Sequence, residues 1–430
     1  MRVGVAVRTS AVILATVVTA GLALRAEPPT GAISLAIAGR SNTTPWVASD
    51  GPLVAVVWGA SAEGKTDVFL AVSRDSGTTF GTPVQVNTIP GEARLGGELP
   101  PRVAVTPGRG SANPEIVVLW TARGAATAIM TARSPDGGRT FEPPVALQGF
   151  EAAGDRGWPS LALDSRGTAH AIWLDHRGLS SARAAGVSRD HRSGAAHDGV
   201  AMAQKSGLYY SAGTGTPPTE RELAKGVCYC CKTALAAGAD QAVYAAWRHV
   251  YPGNIRDIAF TFSRDGGRSF AEPVRVSEDA WAINGCPDDG PAIAVDAGGQ
   301  IHLAWPTVVG GSNPEGALFY ASTRDGRTFT PRIRIPTQGS ARPTHPQIVV
   351  DRRGRIVVAW DELLGGQRVA AAREVTRPSE QRVDFGPVIT LSPGGPATYP
   401  VLAATDSGLV AVWTTGGEAS VIQFRAISLP

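Results

Sequence analysis

The chain has 430 residues, 43% of them hydrophobic and 18% charged, with a formal net charge of +3. That balance suits a globular core, and a charge so small, with no block of like sign, offers no electrostatic footprint for nucleic acid. The 51 glycines and 32 prolines point to many short strands joined by turns.

The first element along the chain is a targeting segment. Arg2 and Arg8 precede an apolar run, "AVILATVVTAGLAL" at 11–24, too short for the ~20 residues of a membrane span but suited to a secretory leader. Residues 1–26 are therefore expected to be a signal peptide, with an uncleaved N-terminal anchor as the alternative. The protein is expected to act outside the cytoplasm, secreted, periplasmic or at the cell surface, where disulfides persist.

From residue 31 onward a repeat organises the chain. Seven segments each join two apolar runs by a turn and end in tryptophan: Trp58, Trp120, Trp173, Trp247, Trp305, Trp360 and Trp413. They are exemplified by "WPSLALDSRGTAHAIW", "HPQIVVDRRGRIVVAW" and "YPVLAATDSGLVAVW". Such segments predict hairpins. The tryptophans advance by 62, 53, 74, 58, 55 and 53 residues, a period that marks a repeat architecture.

A second motif follows several hairpins. "SRDSGTTF" (73–80), "SPDGGRTF" (134–141) and "SRDGGRSF" (263–270) fit S-x-D-x-G-x-x-F, and "STRDGRTF" (322–329) is a degenerate copy with Asp325 one step late. The aspartate is expected to accept hydrogen bonds from the N–H groups of its own turn, while the aromatic packs beneath it. The motif resembles the Asp-box, or BNR repeat, of sialidase-like β-propellers. With the tryptophan hairpins the resemblance covers residues 31–430. It implies an all-β fold, a seven-bladed β-propeller of four-stranded antiparallel blades, with six blades as the alternative. The last repeat lacks a fourth strand, so residues 31–39 are expected to complete that blade and close the ring.

The blade-to-blade connections, with the loops that follow each tryptophan, are expected to share the face that carries binding sites in the family. The other features of interest fall there. "GVCYCCKT" holds Cys228, Cys230 and Cys231, and the chain's fourth cysteine, Cys286, lies on the next connection beside Asp288 and Asp289. His249 follows Trp247. An insertion at about 178–206, with His191, His197 and Met202, reads as a mobile loop over the face.

Four cysteines allow three full disulfide pairings. A thiolate site for copper or zinc, with His249 or Met202 as a further ligand, and redox chemistry are the other readings.

Resemblance to sialidases implies an arginine cluster for a substrate carboxylate, a tyrosine nucleophile activated by glutamate, and an aspartate acid/base. Arg102, Arg156, Arg177, Arg248 and Arg342 are the candidates for the first role, because a guanidinium binds carboxylate bidentately. Tyr399 is the candidate nucleophile, and Glu362, Asp175 and Asp289 are the candidate carboxylates. The segment "LPPRVAV" (99–105) departs from the F/Y-R-I-P sequence of sialidases. The expectation is a propeller acting on carboxylated sugars. A non-catalytic binding scaffold and an extracytoplasmic metal–thiolate protein are the alternatives. A carbohydrate or other small ligand is the expected partner, with no nucleic acid, membrane contact only through an uncleaved anchor, and a monomeric state.

Overall fold

The computed structural model describes Met1 and residues 31–106, 114–147, 154–179, 199–213, 220–285, 287–339, 341–379, 382–393 and 395–429. The leader, His191, His197 and Cys286 fall outside the described residues. Seven antiparallel sheets follow one another along the chain, each starting from an inner strand and stepping outward. Blade one is Ser41–Asp50, Leu53–Ala62, Lys65–Ser73 and Val84–Gln85. The inner strands of blades two to seven are Arg102–Thr106, Arg156–Leu163, Ala234–Ala237, Ala292–Val295, Thr344–Val350 and Thr398–Thr405. Blade six carries an additional strand, Ile389–Thr390, beside the long strand Gln367–Ser379.

Ile33–Leu35 pairs with Val421–Ile427 and forms the outer edge of blade seven. The start of the described chain thus closes the ring, and the blade count is seven. Among the described residues, no helix is long and apolar enough to cross a membrane.

Each blade is apolar on both faces, because it packs between two neighbours. Leu53 to Ala60 are buried without alternation, the pattern of a strand covered on both sides. The seven hairpin tryptophans are at most 3% exposed and lie in the seams. Trp58 packs with residues of blade seven, and Trp120 with residues of blade one.

The S-x-D-x-G-x-x-F turns act as the sequence predicts. Asp75 accepts from the N–H of Thr79 at 2.8 Å, Asp136 from those of Arg139 and Thr140 at 2.9 and 3.0 Å, and Asp265 from that of Ser269 at 2.9 Å. In the degenerate copy the turn is one residue shorter. Thr323 takes the serine's place, and Asp325 accepts from Arg327 and Thr328 at 2.8 Å each. The glycine of the motif has a second duty. Gly77 has φ +89°, and a Cβ there would lie 2.3 Å from Phe424 of blade seven. The turn therefore also seats one blade against the previous one.

These turns follow the third strands, where Ser73 stands opposite Val54 near the start of the second strand. The opposite end of the blades brings together the starts of the inner strands and the ends of the second strands, as in Arg156 opposite Asp175 and Thr344 opposite Asp361. The blade-to-blade connections arrive at that end.

Candidate functional site at the channel mouth

Four blades begin their inner strand in the same unusual way. Thr44, Trp158, His345 and Tyr399 have φ of 54°, 55°, 53° and 57°, and each immediately precedes a proline (Pro45, Pro159, Pro346, Pro400). A β-bulge sits at each of these points. Left-handed backbone is uncommon for non-glycine residues and costs of order 1–3 kcal/mol each. Bulges of this kind re-aim side chains. Two of the four re-aimed residues, His345 and Tyr399, meet with ring centroids 4.3 Å apart in an edge-on arrangement.

His345 Nδ1 lies 2.6 Å from Asp361 Oδ2, and Nε2 lies 3.9 Å from Glu98 Oε1. Asp361 is fully buried and engaged on all sides. It accepts from Thr344 Oγ1 at 2.7 Å and from the N–H of Tyr399 at 2.9 Å, and it is paired with Arg368. Burial works against a charged His345, but the Asp361 carboxylate outweighs it and holds the imidazole above its ordinary value. Burial, reinforced by the charges of Asp361 and Glu98, pushes the Tyr399 phenol upward and keeps it protonated. Gly97 lies flat against the tyrosine, because a Cβ there would fall 2.2–2.4 Å from ring carbons and the hydroxyl.

Glu98 forms part of the floor. Its Oε2 accepts from the N–H of Lys232 at 3.0 Å, and burial raises its carboxyl to about 7. Lys232 is buried and donates Nζ to the carbonyl of Pro346 at 2.8 Å. Below lies a cavity of about 50 Å³ in the channel, lined by Trp46, Arg102, Ser160, Lys232, Thr233 and Gln347 among others. An open groove of about 350 Å³ beside blade seven, lined by Trp413, Thr415 and Arg425 among others, brings one charge and no proton-transfer group.

Some of the residues expected from the sequence join this mouth. Tyr399 is central. Asp289 is buried beside His345, accepting from its N–H at 3.4 Å and from Arg342 Nη1 at 3.3 Å. Arg342 is partly exposed and also donates to the Pro287 carbonyl at 3.1 Å. Arg102 is buried, donates Nε to the Pro159 carbonyl at 2.8 Å, and packs 3.6 Å above the Trp46 ring.

Others are placed elsewhere or are already committed. Asp175 forms a separate blade-three cluster with Arg156 at 3.2 Å and Arg177 at 2.7 Å, and Arg177 continues to Glu220 at 2.8 Å. Glu362, adjacent to Asp361 on an alternating strand, points the other way. It accepts from the N–H groups of Gln338 and Gly339 and so fixes a connection. Arg248 spends its guanidinium on the carbonyls of Asp289, Arg256 and Pro306 at 2.9, 2.6 and 2.7 Å. His249 meets Tyr251 at a tilt, with ring centroids 4.5 Å apart, and burial lowers it to about 4.

Among the described residues, one group of close metal-type ligands occurs, Cys228, Cys230 and Cys231, and His249 is outside it. Cys230 is held in a disulfide, while Cys228 and Cys231 are free thiols with sulfurs 3.0 Å apart. Two thiolates on a tetrahedral zinc at about 2.3 Å stand roughly 3.8 Å apart. Arg256 Nη1 also lies 3.5 Å from the Cys228 sulfur, where it opposes a cation. The present arrangement does not fit a copper or zinc site.

No family model matches the chain. No curated protein matches it either. Solved structures do. An ulvan lyase of polysaccharide lyase family PL25 is 10% identical with a TM-score of 0.55, covering 89% of this chain and 93% of its own. The polysaccharide lyase Uly1 is 10% identical with a TM-score of 0.53, covering 91% of each. The Hadza microbial sialidase Hz136 is 14% identical, with a TM-score of 0.49 over 87% of this chain and 77% of its own. The likeness is one of fold.

Sequence reasoning passed over Glu98, Lys232, His345 and Arg368 as site residues, placed both acids of "DELLGG" on this face but chose Glu362 over Asp361, and missed Gly97. A usable signal was present for two of the mouth residues: the residue before proline at the head of a repeat, in "HPQ" and "YPV".

Proposed function

We propose that this propeller cleaves glycosidic linkages in a carboxylated polysaccharide at the mouth of its central channel, outside the cytoplasm. The observation that carries the reading is the meeting of the His345–Asp361 pair with Tyr399, beside the partly exposed guanidiniums of Arg342 and Arg368. Those cations suit a sugar carboxylate. The fold alone does not assign a function. The two lyases of like fold are compatible with such chemistry on this scaffold.

The carboxylates favour elimination over hydrolysis. Asp361 and Asp289 are buried, hydrogen-bonded to backbone and paired with cations, while Glu98 accepts from the Lys232 N–H through Oε2 and keeps its buried, unpartnered Oε1 3.9 Å from His345 Nε2, so none faces a sugar as a free acid or base. His345 and Tyr399 remain. In its neutral form, reached as pH rises through its raised titration point, His345 keeps its Nδ1 proton on Asp361 and offers Nε2 to accept the proton alpha to the sugar carboxylate. The electron pair released forms a double bond to the beta carbon as the bond to the leaving oxygen breaks. The protonated Tyr399 supplies that oxygen's proton. Hydrolysis with Tyr399 as nucleophile is the competing outcome, and there Asp289 or Glu98 would have to be freed from its present partners.

The test is incubation with a panel of uronate-containing polysaccharides and sialosides. An ultraviolet-absorbing unsaturated uronate, lost in Tyr399→Phe and His345→Asn but kept in Asp175→Asn, is the expected result. Saturated sugar products would move the reading to hydrolysis. Binding without turnover would make the propeller a carbohydrate-binding scaffold.

A further inference from the structure

The cysteines are not needed for that chemistry, yet they are arranged for another. "CYCC" contains C-x-x-C spacing in Cys228 and Cys231. Their sulfurs, 3.0 Å apart, lie about 1 Å beyond a disulfide bond length of about 2.0 Å. The Cys228 sulfur lies 3.9 Å from that of Cys230, which is already in a disulfide. Arg256 Nη1 faces Cys228 at 3.5 Å, and its Nε and Nη2 are buried without a partner among the described residues. A guanidinium here stabilises a thiolate, the form that attacks disulfides. The two free thiols are shut away from solvent in an apolar pocket with Ala203 and Val250, whereas Cys230 is only half-buried. The helix Gly199–Gln204, at the end of the blade-three insertion, supplies Ala203 to this cover.

We propose that Cys228 and Cys231 form a dithiol that takes over the Cys230 disulfide by intramolecular exchange, with Cys230 as the point where external thiols and disulfides enter. The Cys228 thiolate attacks Cys230 Sγ. A Cys228–Cys230 bond forms, and the bond from Cys230 to its former partner breaks, leaving that sulfur as a thiolate. Cys231 then attacks Cys228, forming the Cys228–Cys231 disulfide and releasing Cys230 as a thiolate. The two protons shed by Cys228 and Cys231 go to the two sulfurs released. One disulfide is consumed and one formed, so the step needs no external oxidant. Thiols or disulfides of small molecules or of a protein dithiol carrier set the overall redox state through Cys230. Burial raises both thiols, but for Cys228 the contact with Cys231 and the charges of Arg256 and Arg248 outweigh it and bring it down to about 7, while Cys231 stays well above its ordinary value. That asymmetry suits one attacking and one resolving thiol.

The experiment uses the full-length protein purified without reductant or chelator and equilibrated across a series of reduced-to-oxidised glutathione ratios. It is then quenched in acid and alkylated. All three cysteines fall in the tryptic peptide 226–232, between Lys225 and the cleavage after Lys232. The expected result is an internal disulfide in that peptide, seen as a loss of two hydrogens, appearing in step with a newly alkylatable cysteine elsewhere in the chain. Cys231→Ser should stop the relay at a Cys228–Cys230 or Cys228–glutathione disulfide, and Cys228→Ser should abolish the internal bond. Wild-type peptide that never carries an internal disulfide at any ratio overturns the proposal, even if neither variant folds. So does stoichiometric copper or zinc that shields the thiols from alkylation.

Discussion

Gly97 lies against the face of Tyr399 so closely that a methyl group at residue 97 would overlap the ring and its hydroxyl at 2.2–2.4 Å. The contact joins the connection before blade two to the head of blade seven across the channel mouth. It fixes where the phenol stands relative to His345, 4.3 Å away between ring centroids. Tyr399 therefore has its position set from two sides, by a residue with no side chain and by an imidazole.

Gly97→Ala is expected to displace Tyr399 without unfolding the propeller, because Gly97 does not occupy the left-handed region and its neighbour there is a partly exposed side chain. Turnover of the substrate found by the panel should fall by about 100-fold to 10,000-fold, the range for removal of a proton-transfer group. Tyr399→Phe should fall by a similar factor, with KM little changed in that variant. A Gly97→Ala protein with wild-type kcat would show that the contact does not position the phenol.

The pH dependence of stability follows from Glu98 and His345. Glu98 in the folded protein sits at about 7, above its ordinary 4.5. A raised carboxyl favours the fold while protonated, so its contribution is complete below about 4.5 and is lost as pH climbs to about 7. His345 is also raised above 6.5, so its contribution is complete below that value and is lost as pH rises through the shifted one. Burial lowers His170, His176 and His249, and these act in the opposite sense below pH 6.5, so the two contributions are read as differences from variants. The thermal midpoint of wild type relative to Glu98→Gln should fall between pH 4.5 and about 7, and relative to His345→Asn it should fall as pH rises above 6.5. A difference that stays constant or rises over its window would contradict the assignment of that group.

The ring was legible because its determinants are local and repeated. Each blade needs two apolar runs, a turn and a tryptophan to fill the seam, and all of these lie within one hairpin of sequence. Even the degenerate turn at Asp325 shows its one-residue shift in the sequence. The mouth was legible only in part. Tyr399, Asp289, Arg102 and Arg342 lie there, but Glu98 and His345 approach from distant segments, and no spacing rule connects them. The arginines chosen for their chemistry were divided by their partners: Arg156 and Arg177 by Asp175, and Arg248 by three carbonyls. Glu362 differs from Asp361 by one position on a strand, and that single step sends it to the other face.

Ring closure gives a third expectation. Leu35 is 6% exposed and packs in the seam with Val56, Val412 and Phe424. Its strand is the outer edge of blade seven. Removing residues 31–37 leaves an unpaired strand edge and opens that seam. The truncated protein should lose a cooperative unfolding transition at the wild-type temperature and aggregate through the bare edge. Leu35→Ala, which keeps the strand, should cost about 2–5 kcal/mol in urea unfolding, the range for a buried leucine. A truncation that melts like wild type would mean that the N-terminal strand is not needed to hold the ring.

The blade contact at Gly77 tests whether the turn motif docks blades as well as closing its own hairpin. At φ +89° an alanine is strained, and its methyl would meet the Phe424 ring at 2.3 Å in the buried seam between blades one and seven. Left-handed strain is of order 1–3 kcal/mol, and overpacking typically adds about 1–3 kcal/mol. Gly77→Ala should therefore destabilise the protein by about 2–6 kcal/mol. Asp75→Ala removes the side-chain acceptor for the N–H and hydroxyl of Thr79 at a solvent-exposed turn, where an orphaned donor turns to water, so it should cost about 1 kcal/mol. The discriminating variant is Phe424→Leu combined with Gly77→Ala. If the glycine is required by its neighbour, shrinking the ring should recover part of the loss, and a double-mutant cycle in urea should show a coupling of about 1 kcal/mol or more. Strict additivity would leave backbone conformation as the whole reason for glycine at this turn and would remove blade docking from the motif's duties.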